Sequence, residues 1–260
     1  MSAPTTSTNT NTATPGAAPV TQMILAQTRA ELTMAVRRGE SLLVTVVIPT
    51  VLLIIFMGLP VIPGTTSAKI AFLLPGILAV AIMSTSLVSL GIATAYDRYY
   101  GSLKRLGSTP LPRWGLIAAK TVSVLAIEAA QTVLLVLIAT IFYGWRPAGS
   151  LLLALVVMLV GTAAFAGLGM LMAGSLRAEA TLAGANGLFI LLLAFGGVIL
   201  PLSHLPAFIQ WPAQLLPAAA LSDALRSALS PTGISGGSLL LLLVWAIILL
   251  VAAALTFKWE

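Results

Sequence analysis

The sequence predicts an all-α membrane protein with six transmembrane helices, and three observations carry that prediction. Of 260 residues, 59% are hydrophobic and only 8% are charged, where soluble domains run near a quarter charged. The apolar residues gather into six runs of roughly 20 residues, the length a helix needs to cross a hydrocarbon core about 30 Å thick. The thirteen Lys and Arg divide unevenly between the two sides those runs define. Arg29, Arg37, Arg38, Arg98, Lys104, Arg105, Arg113, Lys120, Arg177 and Lys258 fall on one side, and Lys69, Arg146 and Arg226 on the other. By the positive-inside rule this places both termini in the cytoplasm.

Residues 1–20 hold Ser, Thr, Asn, Pro and Ala with neither a charge nor an apolar run, the composition of a disordered tail. They lack the basic start and apolar centre of a signal peptide, so no cleavage is expected. Residues 21–40 read as an amphipathic helix along the membrane surface. Ile24, Leu25, Leu32, Ala35 and Val36 share one arc, and Arg29, Thr33, Arg37 and Glu40 the next. A plain cytoplasmic lead-in to the first span is the alternative. Gly39 marks a bend before the six-span domain, residues 41–260.

The first span covers about residues 42–59 and contains Pro49, with Thr45 and Thr50 near enough to compensate the freed carbonyl. Pro60, Pro63 and Gly64 then turn the chain. The second span, about 70–95, carries a polar row at Ser84, Thr85, Ser86 and Ser89, expected to serve close helix contact or to line a path. The third runs over about 116–143, and the fourth over about 151–173, with Gly161, Gly167 and Gly169 as a close-packing signature. A short turn with Arg177 and Glu179 leads to the fifth span, about 181–200. The last covers about 238–257.

Between spans five and six, Pro201, Pro206, Pro212 and Pro217 forbid one continuous helix. Leu205, Phe208, Ile209, Trp211, Leu215 and Leu216 are too apolar for a solvated loop. A re-entrant outer hairpin of short helices fits both facts, with Trp211 at headgroup depth. His204, in this hairpin, reads as an interfacial polar residue rather than a catalyst. Residues 218–229 then form a helix in which Asp223 and Arg226 pair at i, i+3.

The motifs absent from the chain narrow its chemistry. Without cysteine, disulfides, thiolate metal sites and Cys nucleophiles are excluded, and a single histidine excludes a multi-His metal site. The net charge of +6 belongs to loops between spans and reflects orientation, so no nucleic-acid partner is expected. There is no phosphate-binding G-x-x-x-x-G-K-[ST] loop and no dinucleotide pattern, so the chain is not expected to be an enzyme or to bind a cofactor. Glu128 is the sharpest residue within a span. It lies roughly 18 Å in from residue 116, near the bilayer centre. A carboxyl there is expected to be protonated or bonded to Gln131 or Thr132 one turn on; it either lines a wet cavity or relays protons, or else it is a neutral group bonded across a helix interface.

The stretch 95–120 holds five of the thirteen basic residues between two spans. Gly101 breaks the preceding helix. Leu103, Lys104, Arg105 and Leu106 make a short amphipathic turn, and Thr109-Pro110 ends it ahead of Arg113. Leucines on one side and bases on the other suit a helix docking in a groove of a soluble partner, beside the plainer reading of a basic cytoplasmic loop.

The run D-R-x-x-G-S-L-K-R-L-x-S-T-P-x-x-R, followed by a lysine, resembles the loop signature of ABC-2 type transporter permeases. The downstream P-L-S-x-L-P-x-x-I-Q-W … L-P … D-A-L-R is similar to that family's outer hairpin. Together they cover about residues 21–260. The resemblance implies a multi-pass cell-membrane protein, in a bacterium the plasma membrane. It also implies a partnership with two copies of a separate ATP-binding cassette subunit that uses ATP and Mg, and with a second copy of this chain or a paralogous permease. It carries an ATPase-coupling role onto Asp97, Arg98, Gly101, Leu103, Lys104, Leu106, Thr109, Pro110 and Arg113. Asp97 stands where the family usually has Glu, and Lys104 replaces an acid. Daunorubicin-type efflux permeases, associated with antibiotic resistance, have a similar loop, so export of a small amphipathic drug or lipid-like molecule by alternating access is expected. A polysaccharide or lipid-linked glycan exporter is the close rival, against which the 7% aromatic content weighs. A proton-coupled secondary transporter using Glu128, with Gln131 beside it, is the reading from another class.

Overall fold

A computed structural model describes residues 19–37, 39–60, 64–102, 113–204, 206–231, 233 and 236–256. All regular structure among them is helical. In chain order the helices are α1 (Val20–Arg37), α2 (Gly39–Gly58), α3 (Thr66–Tyr99), α4 (Arg113–Tyr143), α5 (Leu151–Ser175), α6 (Ala178–Phe195), α7 (Ala207–Gln214), α8 (Pro217–Leu229) and α9 (Gly236–Thr256). Five of them, α3 to α6 and α9, are long and apolar enough to cross a membrane. Thr45–Gly58 of α2 forms a shorter apolar helix. The expected coupling turn at Leu103, Lys104, Leu106, Thr109 and Pro110 lies outside the described residues, as does most of the expected tail at residues 1–20.

Local chemistry explains several helix boundaries. Thr65 and Ser150 cap α3 and α5 by accepting from the Ala68 and Leu153 backbone N–H groups. Gly101, at φ 71°, takes the left-handed conformation that stops α3 two residues beyond Tyr99. α6 ends at Phe195, short of the residue 200 expected from hydropathy alone. Gly196 and Gly197, the latter at φ 62°, turn the chain out of the helix, and Val198 and Ile199 continue buried but irregular.

α3 is the centre of the bundle. Its apolar stretch is 83% buried, while α6 and α9 are only 22% buried and keep broad apolar faces outward, as lipid-facing helices do. α3 is not α-helical throughout, because Met83–Ser89 forms a π-helical stretch between two α-helical halves. α8 is the other inner element. Ala218, Ala219, Ala220, Leu221, Ala224, Leu225 and Ala228 are all buried, so this small-residue helix is enclosed by protein rather than lying at a surface. The polar-to-apolar arc read for α1 is rotated: Leu25 and Val36 are each 67% exposed, and Thr28 faces inward. α1 packs on α4 through Glu31, a residue the apolar arc did not include.

The glycines of α5 admit three different neighbours, as the packing signature predicts. A Cβ on Gly161 would meet Leu221 of α8, one on Gly167 the backbone of Leu249 and Leu250 in α9, and one on Gly169 the Ser86 and Leu87 carbonyls of α3. The tightest approach is at Gly76 of α3, where a Cβ would overlap the Val198 carbonyl oxygen. Gly76→Ala is therefore expected to destabilise the protein by about 1–3 kcal/mol, because backbone rather than a mobile side chain must yield. Thermal unfolding in detergent measures this. An unchanged midpoint would show that the 196–200 segment gives way freely.

Candidate functional site

Three helices meet at a buried lysine. Lys120, in the second turn of α4, is 5% exposed. Its Nζ lies 2.6 Å from Asp97 Oδ2, in the last turn of α3, and 3.1 Å from Glu31 Oε1 of α1. Gln27 donates to the same Glu31 oxygen from one turn earlier, at 3.0 Å. An ammonium removed from water needs such partners, and two carboxylates together supply them. The neighbouring Arg98 turns the other way and donates to the carbonyls of Gly174 and Leu176, where α5 ends. Asp97 and Arg98, expected to face a partner, thus have their charge engaged within the chain. They fasten the end of α3 to α1, α4 and α5 at once.

What that end does present outward is aromatic. Tyr96, Tyr99 and Tyr100 form a contiguous ring cluster with centroids 5.1–6.5 Å apart. Tyr99 and Tyr100 are 64% and 68% exposed, next to the helix stop at Gly101. α4 begins at Arg113 on the far side of the connection.

Deeper in the bundle, the hydroxyl row of α3 makes bonds between helices. Ser86 and Thr162 donate to the two oxygens of Glu128, each at 2.5 Å, joining α3 and α5 to α4. Thr85 donates to Gln131 Oε1 at 3.0 Å, and Gln131 Nε2 donates to the Thr45 carbonyl of α2 at 2.9 Å. Ser89 lies 3.4 Å from the Thr45 hydroxyl. Glu128 and Gln131 are 3% and 2% exposed. The π-helical turn widens α3 where Thr85 and Ser86 occur in succession, so that both reach α4. Glu128 has the cross-helix bonding that one of its two sequence readings anticipated.

A cavity of about 90 Å³ lies between the lysine cluster and this ladder. Glu31, Asp97 and Lys120 line one part, and Ser123, Ser89 and Thr85 another. The rest of its lining is apolar, with Met34, Leu90, Val124 and Ile127 among it, and its size is enough for water beside the polar groups. Thr85 thus borders the cavity and also bonds Gln131.

At the opposite end of α3, the hairpin residues separate into two roles. Pro206 precedes α7, whose Phe208 and Trp211 are 79% and 71% exposed, while Ala213 is buried, the pattern of a helix on a surface. Pro217 is the first residue of α8 and is buried. His204 closes a short 3₁₀ turn, Leu202–His204. Arg226 is the structural centre of this end. All five of its N–H groups have acceptors: the Phe72, Gly197 and Val198 carbonyls, Ser222 Oγ and Asp223 Oδ1. Its guanidinium also covers the Phe72 ring, 3.9 Å from the centroid. The sequence spacing identified the Asp223 pair and none of the carbonyl acceptors.

A scan against protein families matches residues 22–230 to the ABC-2 type transporter domain. The chain belongs to the ABC-2 type transporter family. The matched span begins in α1 and extends through α8, so it includes the lysine cluster, the ladder and Arg226. An ABC-2 transporter domain is the membrane permease of an ABC transporter, a multi-pass protein that works with an ABC ATPase subunit. A comparison with curated proteins finds none that matches the chain.

Proposed function

We propose that this ABC-2 permease is the membrane half of an exporter that moves a small amphipathic molecule, drug-like or lipid-like, out of the cytoplasm by alternating access. It has six spans with both termini inside, α2 being the first. It assembles with a second permease chain, a copy or a paralogue, and two ATPase subunits that bind and hydrolyse ATP with Mg. The chain itself binds no cofactor and is not an enzyme. The cell membrane of a bacterium is its setting.

The observation that carries this reading is the fastening of the α3 end. The coupling loop leaves α3 at Gly101, four residues beyond Asp97. Asp97 is held to α4 and α1 through Lys120, and Arg98 is held to the end of α5. A push delivered to that loop by an ATPase therefore reaches four helices together instead of bending one. The cavity and the Thr85–Gln131 and Ser86–Glu128 bonds lie directly inward along α3. They offer a set of hydrogen bonds that can re-pair as the helices rock.

In the complex of this chain with its ATPase, the double substitution Leu103→Asp, Leu106→Asp is expected to abolish substrate-stimulated ATP hydrolysis. The permease itself should still fold and insert. The leucines supply the apolar side of the docking turn, and two buried carboxylates there would be uncompensated. Co-purification and ATPase assays on the double variant decide the matter, and full coupling in that variant would refute the docking role.

A further inference from the structure

The end of the bundle opposite the lysine cluster holds a second cavity, of about 340 Å³, between the start of α3, the α4–α5 connection and the end of α8. Its apolar lining includes Ile70, Trp145 and Leu229, with the hydroxyl residues Ser67 and Ser230 at its wall. Among the described residues, the charged ones lining it are Arg146 and Arg226. A concave, mainly apolar site with a few polar groups is the usual form of a small-molecule pocket, and this volume is within the range for one.

The charge here is unusual for its place. Only three of the thirteen basic residues fall on this side of the spans. Two of them line the cavity, and the third, Lys69, precedes the lining residue Ile70. Orientation in a membrane disfavours cations on the outer side, so it does not account for their collection around one cavity. Arg226 has its five donors committed, one of them to the Asp223 carboxylate that balances its charge, so it builds the wall of the cavity and is not available to a ligand. Arg146 is exposed, and no hydrogen bond or ion pair engages it among the described residues. It is the group free to bind a ligand. The pocket also opens beside the first turn of α3, where the helix dipole adds positive potential.

We infer that this cavity binds an amphipathic molecule with a phosphate head, the head on Arg146 and the adjoining chain over Ile70, Trp145 and Leu229. The site would be on the outer face, which rests on the orientation proposed above. A resident membrane lipid and a molecule delivered by transport share this chemistry.

The test uses the full chain in phosphatidylcholine nanodiscs, with binding of phosphatidylglycerol followed by native mass spectrometry. Saturable binding is expected, weakened about tenfold or more in Arg146→Ala, since a charge-assisted bond is lost. Arg146→Lys should recover part of it, and the unfolding midpoint should stay unchanged. Undiminished binding by Arg146→Ala would overturn the site. So would inorganic phosphate binding as tightly as the lipid, because the apolar floor would then contribute nothing. In the complex with the ATPase, occupancy that falls during ATP turnover identifies a transported molecule, and constant occupancy a resident lipid; both support the site. Because the binding arm needs no ATPase, a failed pocket with intact coupling leaves the permease reading standing.

Discussion

Arg226→Met is expected to destabilise the protein by about 3–5 kcal/mol, because it strips a buried network of its donor and leaves the acceptors in place. Three of those acceptors are backbone carbonyls, of Phe72 in α3 and of Gly197 and Val198 in the segment after α6. Irregular backbone at membrane depth persists only where protein or water satisfies its polar groups, and here the guanidinium does so. Arg226→Lys keeps the charge but offers three donors in place of five, so it should recover only part of the loss. The measurement is thermal unfolding in detergent, where a fall of roughly 10 °C is expected for Arg226→Met. If Lys proves as good as Arg, the five-bond fork is not what holds this end together.

Lys120→Met should also destabilise, by about 1–3 kcal/mol, by leaving Asp97 and Glu31 as partly buried carboxylates without their cation. The distinguishing expectation lies in combination. Asp97→Asn with Glu31→Gln in the Lys120→Met background removes the orphaned charges, so the triple variant should be more stable than Lys120→Met alone. Strict additivity of the three changes would show that the groups do not interact. The ATPase complex offers a second readout. The triple variant, folded but unfastened, should hydrolyse ATP with reduced stimulation by substrate, since α1 and α3 no longer move as one body with α4.

These two residues show how far the sequence could be followed. Both were visible in it, Lys120 as the last residue of a basic stretch and Arg226 as the partner of Asp223 one turn away. Neither had its principal role legible there. Helical spacing relates residues three or four apart, and it does not relate Glu31 to Lys120 or Arg226 to Gly197. The same limit applies to Asp97 and Arg98. Their place after a span, before a glycine, fitted a surface contact equally well, until folding brought Lys120 and the end of α5 to them. Nothing in the sequence sets the exposed Tyr99–Tyr100 pair apart, since aromatics beside a span are commonplace at membrane interfaces. Glu128 differs, since a single carboxylate in an apolar run announces that it needs partners. Spacing along α4 offered Gln131 or Thr132 for that role, and the structure corrects this: the donors are Ser86 and Thr162, from two other helices.

The sequence by itself determined the helical class, the long apolar helices, the glycine contacts of α5, the break at Gly101 and the family, because each follows from local composition, spacing or a contiguous motif. Tertiary structure decided which helices lie inside, that α6 stops at Phe195 over an arginine from α8, and that α1 is pinned by a buried lysine. Those outcomes depend on where water is excluded. A buried charge or a free carbonyl must find its partner wherever the packed chain brings one, however distant in sequence.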